Sequence, residues 1–133
     1  MKSDIDIKDD IYAYIRGSEL AKTVTGKLSK TLRPAKSDNE DIVISMLTNV
    51  NTDIQEAFVH VNIDVPDVLR DDQYEENTIR LRLLCDMSKE LLKVGRGDGY
   101  RFTLDEQRVM EVQGKNEHFI NNKLLYRYCK DTE

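Results

Sequence analysis

The sequence predicts an α+β domain, a mainly antiparallel sheet with an N-terminal helix and one long helix packed on one face. Three stretches predict it. QEAFVHVNIDV at 55–65 sets Ala57, Val59, Val61, Ile63 and Val65 on one side of an extended chain and Phe58, His60, Asn62 and Asp64 on the other, because successive strand side chains point to opposite faces. DIVISMLTNV, starting at Asp41, alternates in the same way, with Ile42, Ile44 and Met46 against Val43, Ser45 and Leu47. The segment 73–94 carries Ile79, Leu83, Leu84, Met87, Leu91 and Val94 at helical spacing, widened by Leu81, Cys85 and Leu92.

Taken in order, Ile7, Ile11 and Ile15 form one stripe of a helix over 5–16, with Gly17 just beyond its end. Ser18 is placed to cap a short second turn that Gly26 breaks. KLSKTLRP is too closely bracketed by Gly26 and Pro34 for a useful helix, so it reads as a short strand or extended arm bearing Lys27, Lys30 and Arg33. A polar connection over 35–40 leads to the strand that starts at Asp41. Both faces of that strand are mostly apolar, which predicts a central position in the sheet. Turn formers at 51–53 join it to the 55–65 strand, giving an antiparallel hairpin over 41–65.

Pro66 lacks the N–H that a ladder needs and ends the strand. A loop over 66–72 follows, with Asp71 or Asp72 as the helix cap and Glu75 and Glu76 in the first turn, where the dipole favours carboxylates. GRGDG at 95–99 stops the helix. Tyr100 to Gln113 holds one or two strands, Gly114–Asn116 a turn, and EHFINNKLLYRYC a long strand with a break at Asn121–Asn122. Residues 130–133 read as a frayed tail. The chain thus predicts a single domain over 1–133, with its C-terminal strands at 100–129.

At 133 residues the chain is long enough for a real core. A formal charge of −5 argues against a general duplex-binding protein, which concentrates basic charge. MKSDIDIKDD has no apolar centre and is not a secretory signal, and no apolar run approaches the ~18 residues of a membrane span. A soluble protein of a reducing cytoplasm is the expectation. Cys85 and Cys129 are too few and too distant for a disulfide framework and read as buried thiols.

No constellation of residues predicts catalysis or a cofactor. His60 and His118 lack a well-spaced third metal ligand, and they read as polar-face side chains. Asp64, Asp67, Asp71 and Asp72 cluster around Pro66 as Mg²⁺ or Ca²⁺ ligands would, but as caps and loop residues they read as structural. No cysteine or serine has a base at dyad or elbow spacing. Asp64 with Glu111 and Lys115 falls short of the restriction-nuclease pattern, because Gln113 occupies the position that needs lysine. GRGDG follows a helix, whereas a phosphate loop precedes one.

GKLSKTLRPAKSDNEDIVISML, followed by QEAFVHVNIDVPDV, a long helix and closing strands, resembles the tail-completion or tail-terminator (head–tail joining) proteins of long-tailed phages and prophages. The matching residues are Gly26, Arg33, Pro34, Glu40, Asp41, Ile42, Val43 and Ile44, then Val61, Asn62, Ile63, Val65, Pro66 and Asp67. Leu28–Ser29 departs from the aromatic residue that the family more often carries. The resemblance implies a non-enzymatic subunit of the virion tail, assembled in the bacterial cytoplasm as a hexameric ring. Its partners would be other copies of itself, the tail tube protein and the head connector protein, with no specific nucleic-acid recognition and no membrane. Lys27, Lys30 and Arg33 on the arm, and Asp64, Asp67, Asp71 and Asp72 at the corner, are the expected interface, since opposite charges on separate patches suit a head-to-tail contact. Two other classes fit the same plan: a non-catalytic adaptor of a contractile or conjugative machine, and a small enzyme with an unrecognised site.

Overall fold

Three isoleucines at every fourth position dictate the first element. Helix α1 spans Asp4–Ile15, and Ile7, Ile11 and Ile15 are fully buried on its inner face. Ser3 and Asp6 form a capping box that satisfies two of the free N–H groups at its start. Ser18 caps the short α2, Glu19–Thr23, as expected. The arm contributes a three-residue strand, β1 (Leu28–Lys30), and Thr31, at φ 72°, turns the chain out of it. The computed structural model describes residues 1–129, so the 130–133 tail lies outside the described residues.

The long strands follow the predicted alternation. β2 spans Ile42–Asn51 and β3 spans Ile54–Pro66, paired antiparallel. β3 reads through Pro66, which pairs with Glu117. A small hairpin occupies what the sequence presents as a loop, with β4 at Val68–Arg70 and β5 at Gln73–Glu75. Its turn needs positive φ at both central residues, a conformation that Asp tolerates, and Asp71 (48°) and Asp72 (63°) supply it. β6 (Val94–Arg96) pairs with β7 (Tyr100–Glu111), and β8 spans Glu117–Cys129 without interruption. Asn121 and Asn122 are ordinary ladder residues that pair on both sides.

The main sheet runs β1-β2-β3-β8-β7-β6, parallel only at β1–β2. The central strands are therefore β3 and β8. The prediction of a central β2 is corrected: past Ile44 no described residue pairs with its outer edge, and Leu47, at a bulge, is 52% exposed. Its apolar outer face reflects an uncovered sheet surface, and sequence cannot distinguish that from a buried one.

Helix α3 spans Thr78–Leu92, shorter than the predicted 73–94. Asn77 is its cap in place of Asp71 or Asp72, and Glu75 and Glu76 precede it. The buried face is also rotated from the predicted stripe. Leu81, Leu84, Ser88 and Leu92 point inward, and Ile79, Leu83 and Val94 are exposed. Leu84 is buried as predicted, Met87 packs at the margin of the core, and Leu83 does not pack against β3. The helix lies mostly over β7 and β8, and there Gln107 donates to the Cys85 carbonyl, Ser88 and Asn122. A polar row in the sheet explains why a serine occupies the middle of the buried helix face.

All three helices lie on one side of the sheet. Ile42, Ile44, Val59, Val61, Ile63, Ile120, Leu124 and Tyr126 face them and form one core. Tyr126, fully buried, donates to Asp10 at 2.6 Å, and Asp10 is also paired with Lys2. This ties the middle of α1, which lies over β1 and β2, to β8.

Candidate functional site

Among the described residues the opposite side of the sheet has no helix layer, and two of the sequence-predicted residues, Arg33 and Asp64, meet at one end of it. The segment after β1 folds back so that Arg33 reaches the end of β3 and β8. Its Nε lies 2.7 Å from Asp41 and 3.2 Å from Asp64, and its two Nη atoms each lie 2.7 Å from Glu117, a bidentate pair. Arg33 also donates to the Asn39 carbonyl at 2.6 Å. Lys115 approaches Glu117 and Asp38 at 3.5 Å from the outside. The side chains of Asp41 and Glu117 are 1% and 2% exposed, so an arginine fork that satisfies both is what makes their burial tolerable. Gly26 is part of the same construction, because a Cβ there would collide with Asp41 and the Glu40 carbonyl.

The three carboxylates do not behave alike. Burial opposes ionisation of Asp41, but hydrogen bonds from Arg33, Ser37 and the Lys27 N–H outweigh it and hold the group below its usual 3.8. For Asp64 burial dominates, and the neighbouring Glu117 and Asp41 charges add to it against the pull of Arg33, raising it to about 6.

This placement changes the expected interface. Arg33 and Asp64, assigned from sequence to two separate patches, are partners within one chain, with side chains 19% and 15% exposed. Asp67 bonds His118 at 2.7 Å, and Lys30 pairs with Asp9 at 2.6 Å. Lys27, Asp71 and Asp72 remain exposed. The reason is topological. The strand pairing brings Pro66 beside Glu117, and the arm crosses that end, a proximity that no local pattern encodes. Glu40, placed by sequence in a polar connection, is likewise buried and receives Arg80 of α3 at 2.6 Å. The signal available in the sequence was the position of Glu40 and Asp41 directly before an apolar strand.

His60 and His118 point to opposite faces of the sheet. His118 lies opposite the buried Val65, and His60 opposite Lys123 on the uncovered side. Burial and the nearby Lys123 lower the His60 pKa, which favours the neutral ring. Asn121 contacts its Nδ1 at 3.0 Å, and its Nε2 is buried without a partner. Cys85 is half-buried, but Cys129 is exposed on the uncovered face, against the expectation of two buried thiols. Among the described residues no helix is long and apolar enough to cross a membrane.

The far end of the uncovered face is basic. Arg96, Arg101 and Arg127 are direct cross-strand partners on β6, β7 and β8, and Glu56 of β3 continues the row. Arg127 pairs with Glu56 at 2.7 Å, and neither Arg96 nor Arg101 has a carboxylate partner among the described residues. These arginines edge a groove of about 440 Å³ whose other lining includes Ile54, Tyr100 and Cys129. A second depression of about 250 Å³, bounded by the same arginines with Val94 and Leu125, lies on the other side of the row. Searches of protein-family models and of curated proteins give no match to this chain.

Proposed function

We propose that the protein is a structural subunit of a phage or prophage virion that terminates the tail tube and joins it to the head connector as a hexameric ring. The observation that carries this reading is the one-sided layering. A six-stranded sheet keeps all its helices on one face and leaves the other, with the outer edge of β2 beyond Ile44, open to partners. Open sheet faces and unpaired edges are where subunits add to one another. The family-like order of residues supports the same reading, because the segment 26–44 and the corner at Val61–Asp67 build the ion cluster that closes one end of that sheet. The ring would reside in the tail and assemble in the bacterial cytoplasm, with the tube and connector proteins as partners.

The test mixes the chain with purified tail tubes lacking their terminal cap and images the tube ends. A ring at one end is the expected result, and tubes left bare at saturating protein would overturn the reading. Reversing Lys27 and Lys30 to Glu tests the arm without disturbing Arg33, whose buried pairing makes its reversal a folding defect.

A further inference from the structure

We propose that the β4–β5 hairpin of one copy docks into the arginine groove of a second copy, a head-to-tail contact that repeats around the assembly. The inference rests on the assembling-subunit reading above and names the surfaces that join.

Each surface carries a feature that is unfavourable alone. Like charges directly opposite on adjacent strands repel, and Arg96 and Arg101 face each other with Arg127 beyond. The protein bears this row although its net charge is −5. The hairpin is complementary in sign: residues 67–76 hold five carboxylates and one arginine, with Asp71 and Asp72 at the tip. It is also complementary in its apolar part. Leu69 and Tyr74 are direct cross-strand partners, 59% and 55% exposed. A two-stranded hairpin with an uncovered apolar pair is marginal by itself. The groove offers Ile54 on one side of the arginines and the 61%-exposed Val94 with Leu125 on the other. Glu56 is already bonded to Arg127, and Asp98 lies in the flanking turn, so among the described residues Arg96 and Arg101 have no carboxylate partner and can take an incoming one.

The occupant must be another copy. The groove lies at the Ile54 end of β3 and the hairpin leaves from its Pro66 end. Thirteen strand residues separate them, roughly 40 Å at the rise of an extended chain, so no chain reaches its own groove. Two different patches on one subunit generate a heterologous interface, which closes into a ring or continues as a filament. The groove presents no open aromatic face for base stacking, since the Tyr100 ring is stacked on Tyr126, and this disfavours single-stranded nucleic acid as the occupant.

The test is a charge swap read by sedimentation velocity from micromolar to millimolar protein. Wild type should associate beyond the dimer, less so at high salt. Variant one, Asp71→Lys with Asp72→Lys, and variant two, Arg96→Glu with Arg101→Glu, should each lose association by roughly 100-fold or more, because like charges meet. Mixing the two should restore it, since each hairpin then finds a groove of opposite sign. Lys at two left-handed positions strains the turn, so Asp71→Asn with Asp72→Gly neutralises the tip at compatible angles and should also weaken association.

Wild type that stays monomeric throughout would overturn the proposal. So would folded variants that associate normally, or a mixture that fails to associate. Loss of binding to inorganic pyrophosphate or a DNA oligonucleotide in variant two, with association intact, would assign the groove to a free anion or nucleic acid and equally overturn it. Tail capping enters none of these readouts. Association through the swap without tube binding leaves the contact standing and removes the tail reading, and tubes capped equally by both variants do the reverse.

Discussion

Replacing Asp64 by Asn is expected to stabilise the protein at neutral pH, although Asp64 lies within salt-bridge distance of Arg33. The folded-state pKa is raised from 3.8 to about 6. A group whose pKa is higher in the folded state binds more protons there, so stability falls as pH rises from about 4 to about 6 and stays reduced above that range. A shift of about two units corresponds to roughly 3 kcal/mol. The residual 15% exposure and the adjacent Arg33 reduce this, so the expected gain for Asp64→Asn above pH 7 is about 1–2 kcal/mol. For a domain of this size that raises Tm by roughly 3–6 °C. Urea denaturation from pH 4 to 8 would show wild type losing stability across that interval and the variant losing less. Asp41 acts in a separate window. Its lowered pKa contributes stability above the unfolded value, lost as pH falls below about 4. A variant less stable than wild type at pH 7.5, with a parallel pH profile, would mean that Asp64 is ionised and held by Arg33, and the burial argument would fail.

Arg33→Ala should cost about 3–5 kcal/mol in chemical denaturation, because it strands Asp41 and Glu117 without their shared partner. Leu84→Ala should cost about 2–5 kcal/mol and Leu83→Ala less than about 1 kcal/mol, since the first is fully buried and the second 41% exposed. Equal losses would refute the helix rotation. Tyr126→Phe removes a buried hydrogen bond to Asp10 and should cost about 1–3 kcal/mol, measurable as a shift of the urea midpoint at unchanged m-value.

The elements that a reader of the sequence locates are those whose burial is one-sided and periodic. β3 and α1 appear with the right inner residues because Val59, Val61 and Ile63, or Ile7, Ile11 and Ile15, face a single core. α3 is located from its stripe but turned by part of a revolution, because Ile79 and Leu83 are apolar and yet exposed, and Ser88 is polar and yet buried. The β4–β5 hairpin is hidden in the sequence because its turn uses Asp71–Asp72, a pair that reads equally well as a helix cap. The site was harder still. Arg33 and Glu117 lie 84 positions apart, and the arginine row exists only because β6, β7 and β8 are adjacent. Charge type is visible in a sequence, but cross-strand adjacency between distant segments is not.

The strand order also governs how the chain is made. β8 is the last strand in the described sequence and lies between β3 and β7. As synthesis proceeds from the N-terminus, β3 emerges with β2 on one side and nothing on the other. The main-chain edge of β3 on that side is open, and it waits until residues 117–129 have left the ribosome and can insert. A long strand edge left unpaired while residues 67–116 are synthesised is an aggregation hazard. A polypeptide halted after α3 would keep that edge exposed to pairing with other chains.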